Sequence, residues 1–352
     1  MEHLIPQHIV DSLPGFALLV ITGVGFAILI TGANWVVEGA SGLAYRLGMP
    51  KIIVGATIVS LGTTSPEAAV SVMAAWNGNP GLALGNAVGS IIADSGLIFG
   101  VGCMMVALPA DRYVLDRQGW VQFASGILLA GLCFAVLVIP GVTPELGREV
   151  GFLLLVALAG YLWISVRWAR VHPQGEPFVV PEDPTELDGV VLPHKHKPHG
   201  LVMLIGMVVA GLGLVIVSSQ VVVSSVSALA SQWGVPDLVI ASTIVAFGTS
   251  LPELVVGVSS IRKGHAELLV GNVIGADILN VLFVIGASAA ASGLPIDNSL
   301  FLYLHLPTML IILTMLRVFI FSAIKHGTFQ RWHGMPLLVT YFLFVVLQYV
   351  FA

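Results

Sequence analysis

Two short stretches decide what this chain can fold into. GTTSPE, Gly62 to Glu67, lies inside the apolar run KIIVGATIVSLGTTSPEAAVSVMAAW, and GTSLPE, Gly248 to Glu253, lies inside another. Each sets a proline and an ionisable acid where a plain apolar helix would carry neither. They are 186 residues apart, and at that offset 54–95 aligns with 240–281 without a gap, 15 of 42 positions being identical. Hydrophobicity alone repeats Val and Ile. It does not repeat Gly62, Thr63, Pro66, Glu67, Gly78, Gly85, Asn86 and Gly89 with their spacings. The chain therefore carries an internal duplication.

The solvent around that duplication is lipid. Of the 352 residues 57% are hydrophobic and 9% charged, where a soluble domain has about 25% charged residues. Segments of about 20 apolar residues span a bilayer. Ten are expected, near 14–40, 52–76, 81–107, 119–139, 148–168, 200–230, 238–260, 266–292, 300–322 and 335–352. The first reads as a span and not a signal peptide, since MEHLIPQHIVDSLP before it holds no Lys or Arg. Cys103 and Cys133 fall within spans and suggest neither a disulfide framework nor a thiolate metal site.

Basic residues set the orientation. With the N-terminus outside, 13 of the 14 Lys and Arg fall on the cytoplasmic side, and only Arg148 falls opposite. Both termini are then outside, in a multi-pass protein of the cell membrane. The polar segment 169–199 becomes a cytoplasmic linker between a first half, 1–168, and a second, 200–352. Its HKHKPH, His194 to His199, reads as a solvated basic loop, with imidazole binding of a transition metal as the other option. Five spans per half turn the second copy over in the membrane. The expected fold is an all-α membrane protein of ten transmembrane helices, arranged as two inverted five-helix repeats with broken helices at the midplane, a ground plan of secondary transporters.

The breaks carry the chemistry. Pro66 and Pro252 have no N–H for the carbonyls of Gly62 and Gly248, and their rings push those carbonyls aside. Freed carbonyls at membrane depth are tolerated where they line a polar cavity. Around them stand the hydroxyls of Thr63, Thr64, Thr249 and Ser250 and the carboxylates of Glu67 and Glu253. These hard oxygens suit Ca2+, which takes 6–8 of them, and Na+. Two facing acids are tolerable when a shared cation offsets their desolvation and repulsion. In the second helix of each copy, glycines four apart (Gly85 and Gly89, Gly271 and Gly275) allow close packing. Asn86, Ser90 and Asp94 follow i, i+4 spacing toward the break, and Asn272, Asp277 and Asn280 stand in the other copy. Each hydroxyl also has a reading in which it bonds only its own backbone. Asn86 and Asn272 have one as backbone clamps, and Asp277 one in which it points away from the cavity.

At these residues the chain resembles the sodium/calcium exchangers of the cation/calcium exchanger superfamily, which carry two repeats with a GTS-x-PE-like break and a G-x-x-G-S-N-like helix. The resemblance implies that Glu67 and Glu253 are the key ligands, joined by Thr63, Thr64, Thr249 and Ser250. It further implies backbone ligands at Ser60 and Ala246, and contributions from Ser90, Asp94 and Asn280. The departures are specific. Ala276 has no hydroxyl where the family commonly has Ser. Asp94 and Asn280 reverse the usual order of amide and acid. Asp277 and Ile91 replace the Asn of G-S-N. The GNAxE pattern of the vacuolar Ca2+/H+ exchangers is not found: Asn86 is followed by Ala87, Val88 and Gly89.

The expected function is secondary-active antiport of Ca2+ against Na+, without an enzymatic step and without a cofactor beyond the transported ions, H+ or K+ being alternative coupling ions. The expected partners are inorganic cations and the lipid bilayer, with neither nucleic acid nor a protein partner implied. Three rivals remain: a proton-coupled divalent-cation exchanger using Asp94 or Asp277, an intramembrane aspartyl protease, and a passive channel or sensor. The YD and GxGD pairing characteristic of such a protease is absent from the sequence.

Overall fold

The computed structural model describes residues 13–138, 144–171, 200–233, 246–296 and 299–351. The HKHKPH segment, nearly all of the 169–199 linker and residues 240–245 of the second repeat lie outside the described residues. Among the described residues eight helices are long and apolar enough to cross a membrane. They are α1 (Gly15–Leu47), α4 (Pro80–Met105), α5 (Arg112–Val138), α6 (Arg148–Val171), α7 (Leu201–Gln232), α10 (Ala266–Ser292), α11 (Phe301–His326) and α12 (Arg331–Phe351). Two further segments are interrupted. One is α2 (Lys51–Thr63) followed by α3 (Ser65–Trp76), and the other is α8 (Ala246–Thr249) followed by α9 (Leu251–Arg262).

The interruptions fall at Thr64 and Ser250, the same position of the repeat. Pro66 and Pro252 stand in the first turn of the helices that follow, where a missing N–H is harmless and φ is already helical. The proline thus starts a new helix as much as it ends the old one. α4 and α10 each loosen into a π-helical turn, at Ala93–Ile98 and Asn280–Ile285, directly alongside the breaks. Between α3 and α4, and between α9 and α10, the chain reverses through Gly78 (φ +75°) and Gly264 (φ +73°). Only glycine takes that backbone without strain, which explains why this glycine recurs in both copies.

α10 is the most enclosed span, with every residue from Leu268 to Leu279 buried. Gly271 and Gly275 meet backbone: a Cβ on Gly271 would stand 2.8 Å from the Ile52 carbonyl carbon and 3.0 Å from the Ala56 nitrogen, and one on Gly275 would stand 2.5 Å from the Ala56 Cα. The corresponding neighbours of Gly85 and Gly89 fall at 238, 242 and 246; 238 and 242 lie outside the described residues, as does the side chain of Ala246. α1 and α7 pack mainly on each other. Gly25, Gly32 and Gly39, seven residues apart, form the seam on α1, and a Cβ on Gly32 would lie 2.9 Å from the Gly211 carbonyl oxygen. In lipid no hydrophobic force pulls helices together, so close backbone approach and dispersion supply the packing.

Two small antiparallel clasps join early and late parts of the chain. β1 (Leu108–Pro109) pairs with β4 (Thr328–Phe329), and β2 (Glu145–Leu146) pairs with β3 (Leu294–Pro295). β1 and β3 are the same Leu-Pro at the 186-residue offset, beyond the stretch in which the duplication is visible from sequence. Each clasp pairs one strand from before the linker with one from after it.

Candidate cation site

The two breaks face each other across the molecule through exchanged hydrogen bonds. Thr63 donates to Asn272 Oδ1 at 3.3 Å, and Thr249 reaches Asn86 Oδ1 at 3.5 Å. Each repeat's threonine therefore meets the other repeat's asparagine. Both bonds are long, and Thr63 also has Val59 O at 3.2 Å and Ser60 O at 3.3 Å as acceptors. Its single proton is shared, so the oxygen lone pairs remain open to a cation.

Glu67 and Glu253 are the third residues of α3 and α9, so each carboxylate stands in the first turn of its helix. The positive end of a helix there favours the anion. The preceding segments end at the breaks with their carbonyls, the negative end, toward the same region. Both glutamates are buried, and Thr63 reaches the Glu253 carboxylate as well. Glu67 lies within electrostatic reach of Glu253 and Asp94, and Asp94 within reach of Glu253 and Asp277.

The pattern of unmet hydrogen bonds is the sharpest property of the site. Thr64 Oγ1, Glu67 Oε2 and Asp94 Oδ1 are buried without a hydrogen-bond partner among the described residues. So are Ser250 Oγ, Glu253 Oε2 and Asn280 Oδ1. These are three repeat-related pairs. Unpartnered buried polar atoms are rare and costly, about 1–3 kcal/mol each and more for charged groups. Here the duplication has placed the same unmet oxygens twice. Among the described residues no three His, Cys, Asp or Glu side chains close into a ready metal cage. A cation held here takes hydroxyl and carbonyl oxygens beside carboxylates, which suits a hard cation.

The other sequence-derived candidates divide. Ser90 is buried on α4. The Ser60 carbonyl is not freed by the break, because it accepts the Thr64 N–H at 2.8 Å. Ala246 opens α8; its side-chain surroundings are outside the described residues. Asn86 is only half-buried, and its Nδ2 donates to Ser71 Oγ at 3.0 Å and to the Glu67 carbonyl at 3.5 Å. It thus clamps α4 to α3 while offering its oxygen to Thr249.

A family model described as sodium/calcium exchanger protein matches residues 17–167 and 203–350. The chain belongs to that family. Like its exchanger relatives it is a multi-pass membrane antiporter. CaxA of Alkalimonas amylolytica is 35% identical over 263 residues, covering 75% of this chain and 77% of that relative. The sodium/calcium exchanger MaX1 of Methanosarcina acetivorans is 28% identical over 344 residues, covering 92% and 96%. Among solved structures, the sodium-calcium exchanger NCX_Mj soaked with Na+ and Sr2+ superposes with a TM-score of 0.77 at 23% identity, covering 95% of this chain and 99% of that one. That likeness establishes the exchanger fold.

Within this exchanger fold, the structure brings in residues that the motif reading passed over. Asp277 turns toward α5: its Oδ2 accepts from Gln122 Nε2 at 2.5 Å and from Ser95 Oγ. One turn back on α5, Gln118 donates to Ser165 Oγ at 3.2 Å and accepts from Tyr161 Oη at 2.8 Å. Tyr161 Oη also lies 3.2 Å from the Ala56 carbonyl, in the π-helical turn Gly55–Val59 of α2. The signal available in the sequence was a pair of glutamines four apart, set on one face of a largely apolar helix.

Proposed function

We propose that this protein exchanges Ca2+ for Na+ across the cell membrane by alternating access, at a site shared by Glu67 and Glu253. The observation that carries the reading is the set of three repeat-related pairs of buried, unpartnered oxygens between the two breaks. One Ca2+ offsets both glutamates, while Thr63, Thr64, Thr249, Ser250 and nearby carbonyls fill its shell. Na+ ions use overlapping oxygens, so the two cargos compete. The loaded site is close to neutral and able to cross the barrier, whereas the bare acids are not.

The ten-span plan adds the interrupted α2–α3 and α8–α9 segments to the eight long helices. The two five-span halves are inverted, both termini lie outside and the linker is cytoplasmic. In this frame the β1–β4 clasp lies on the cytoplasmic face and the β2–β3 clasp on the outer one, as inverted halves require. α1 and α7, packed mainly on each other along the glycine seam, slide as a pair past the remaining helices. A proton-coupled version stands as the second reading, favoured by the two acids beyond the glutamate pair, Asp94 and Asp277.

Flux into vesicles reconstituted with the purified protein tests the assignment. An outward Na+ gradient should drive uptake of radiolabelled Ca2+, with a pH gradient or a K+ gradient unable to replace it. Uptake that follows the pH gradient and ignores Na+ would replace Na+ coupling with the proton-coupled reading.

A further inference from the structure

Asp277 has the surroundings of an ion site of its own. It is 1% exposed, and its two oxygens differ. Oδ2 takes donors from two other elements, Gln122 on α5 and Ser95 in the π-helical turn of α4. Oδ1 has no hydrogen-bond partner among the described residues. Nor do the described polar contacts of this carboxylate include a Lys or Arg. A buried carboxylate without a countercharge is among the most expensive groups in a protein interior. The two donors on Oδ2 hold the group in one orientation and leave Oδ1 to meet whatever balances it. Asn280, three residues on along the same helix, also carries a buried oxygen without a partner.

The site has no twin. The position related to Asp277 by the duplication is Ile91, and that related to Ser95 is Val281. Where the glutamate site is built twice, this one is built once. Its ligand chemistry also differs: the direct partners of Asp277 are neutral hydroxyl and amide groups, and the next acid within reach, Asp94, belongs to the repeat-related set around the glutamates, so Asp277 itself calls for a single positive charge. A divalent ion would leave an excess charge in a low-dielectric interior.

We propose that Asp277, with Ser95 and Gln122, forms a binding site for one monovalent alkali cation beside the paired-glutamate site. It deepens the exchange reading by adding a single, asymmetric monovalent requirement. To meet the ion, Gln122 presents its amide oxygen in place of the nitrogen that donates to Asp277 here. Gln118, Tyr161 and Ser165 brace the helix from which Gln122 projects.

Thermal unfolding of the purified full-length protein in detergent, in NaCl, KCl or choline chloride at equal ionic strength, separates this site from the central one. With Glu67→Gln and Glu253→Gln combined, Na+ or K+ should still raise the melting temperature relative to choline. Adding Asp277→Asn should abolish that shift. Ser95→Ala, which keeps the acid, should raise the half-stabilising salt concentration about tenfold, equivalent to about 1.4 kcal/mol, and serves as the readout if the Asn variant does not fold. The proposal is overturned if choline stabilises equally, if Asp277→Asn keeps the Na+ or K+ shift, or if only lowering the pH stabilises the double variant. Failure of Ca2+ exchange in wild-type vesicles would count against the exchange reading alone, because the binding assay does not use flux.

Discussion

The two breaks share a backbone but are not equally tied. In the first, Asn86 Nδ2 is bound to Ser71 Oγ. In the second, the residue at Ser71's place is Gly257, and Asn272 Nδ2 is buried with no partner among the described residues. The glycine is there for packing: a Cβ on Gly257 would come within 2.8 Å of Leu269 Cδ1. One asparagine is therefore locked to its own break, and the other is held only through its oxygen, by Thr63 of the opposite repeat. The duplication fixes where the charges sit, and later divergence decides how firmly each side holds its helix. The first break is the anchored side and the second is the adjustable one.

The largest expected effect probes what the two sides still share. Glu67→Gln and Glu253→Gln should each lower Na+-driven Ca2+ uptake by at least about 100-fold, roughly 2.7 kcal/mol of lost stabilisation, without opening a leak. If one variant retained most of its flux, the glutamates would not form a joint site. Next comes packing. Gly271→Val sets a branched side chain against the Ile52 carbonyl and Ala56. It should destabilise the protein by about 1–3 kcal/mol, seen as a lower melting temperature and poorer yield in detergent. A neutral result would mean that α10 does not press on α2. The smallest effect goes to the difference itself. Ser71→Ala frees Asn86 and makes the first break resemble the second, at a cost of about 1 kcal/mol. Its predicted signature is faster hydrogen exchange across Ser65–Trp76 with Glu253 unaffected; equal loosening of both breaks would erase the distinction.

Much of this was legible in the sequence, for physical reasons. Proline and a carboxylate inside an apolar run have few uses, so Pro66, Glu67, Pro252 and Glu253 located the breaks directly. Gly78 and Gly264 recurred because a left-handed turn admits little else. The sequence was silent where partners are distant in the chain. Asp277 had two open readings until Ser95 and Gln122 appeared beside it, and its hydrogen bonds reach 182 and 155 residues back. Ser71 was hidden by the opposite cause: its counterpart is Gly257, so a search for what the repeats share passed over it. The Ser60 carbonyl, a backbone ligand by resemblance, already accepts the Thr64 N–H, a helical bond that its place before the break preserves and that leaves one lone pair.

The β1–β4 and β2–β3 clasps have a consequence for biosynthesis. Each first-half strand must wait, unpaired, until its partner is made, about 220 residues later for β1 and about 150 for β2, so neither half finishes its own loops. The halves are thus obligate companions within one polypeptide, and the linker between them need only keep them together. Cutting the gene within the linker and co-expressing the pieces should still yield an assembled molecule, whereas either piece made alone should be cleared by proteolysis.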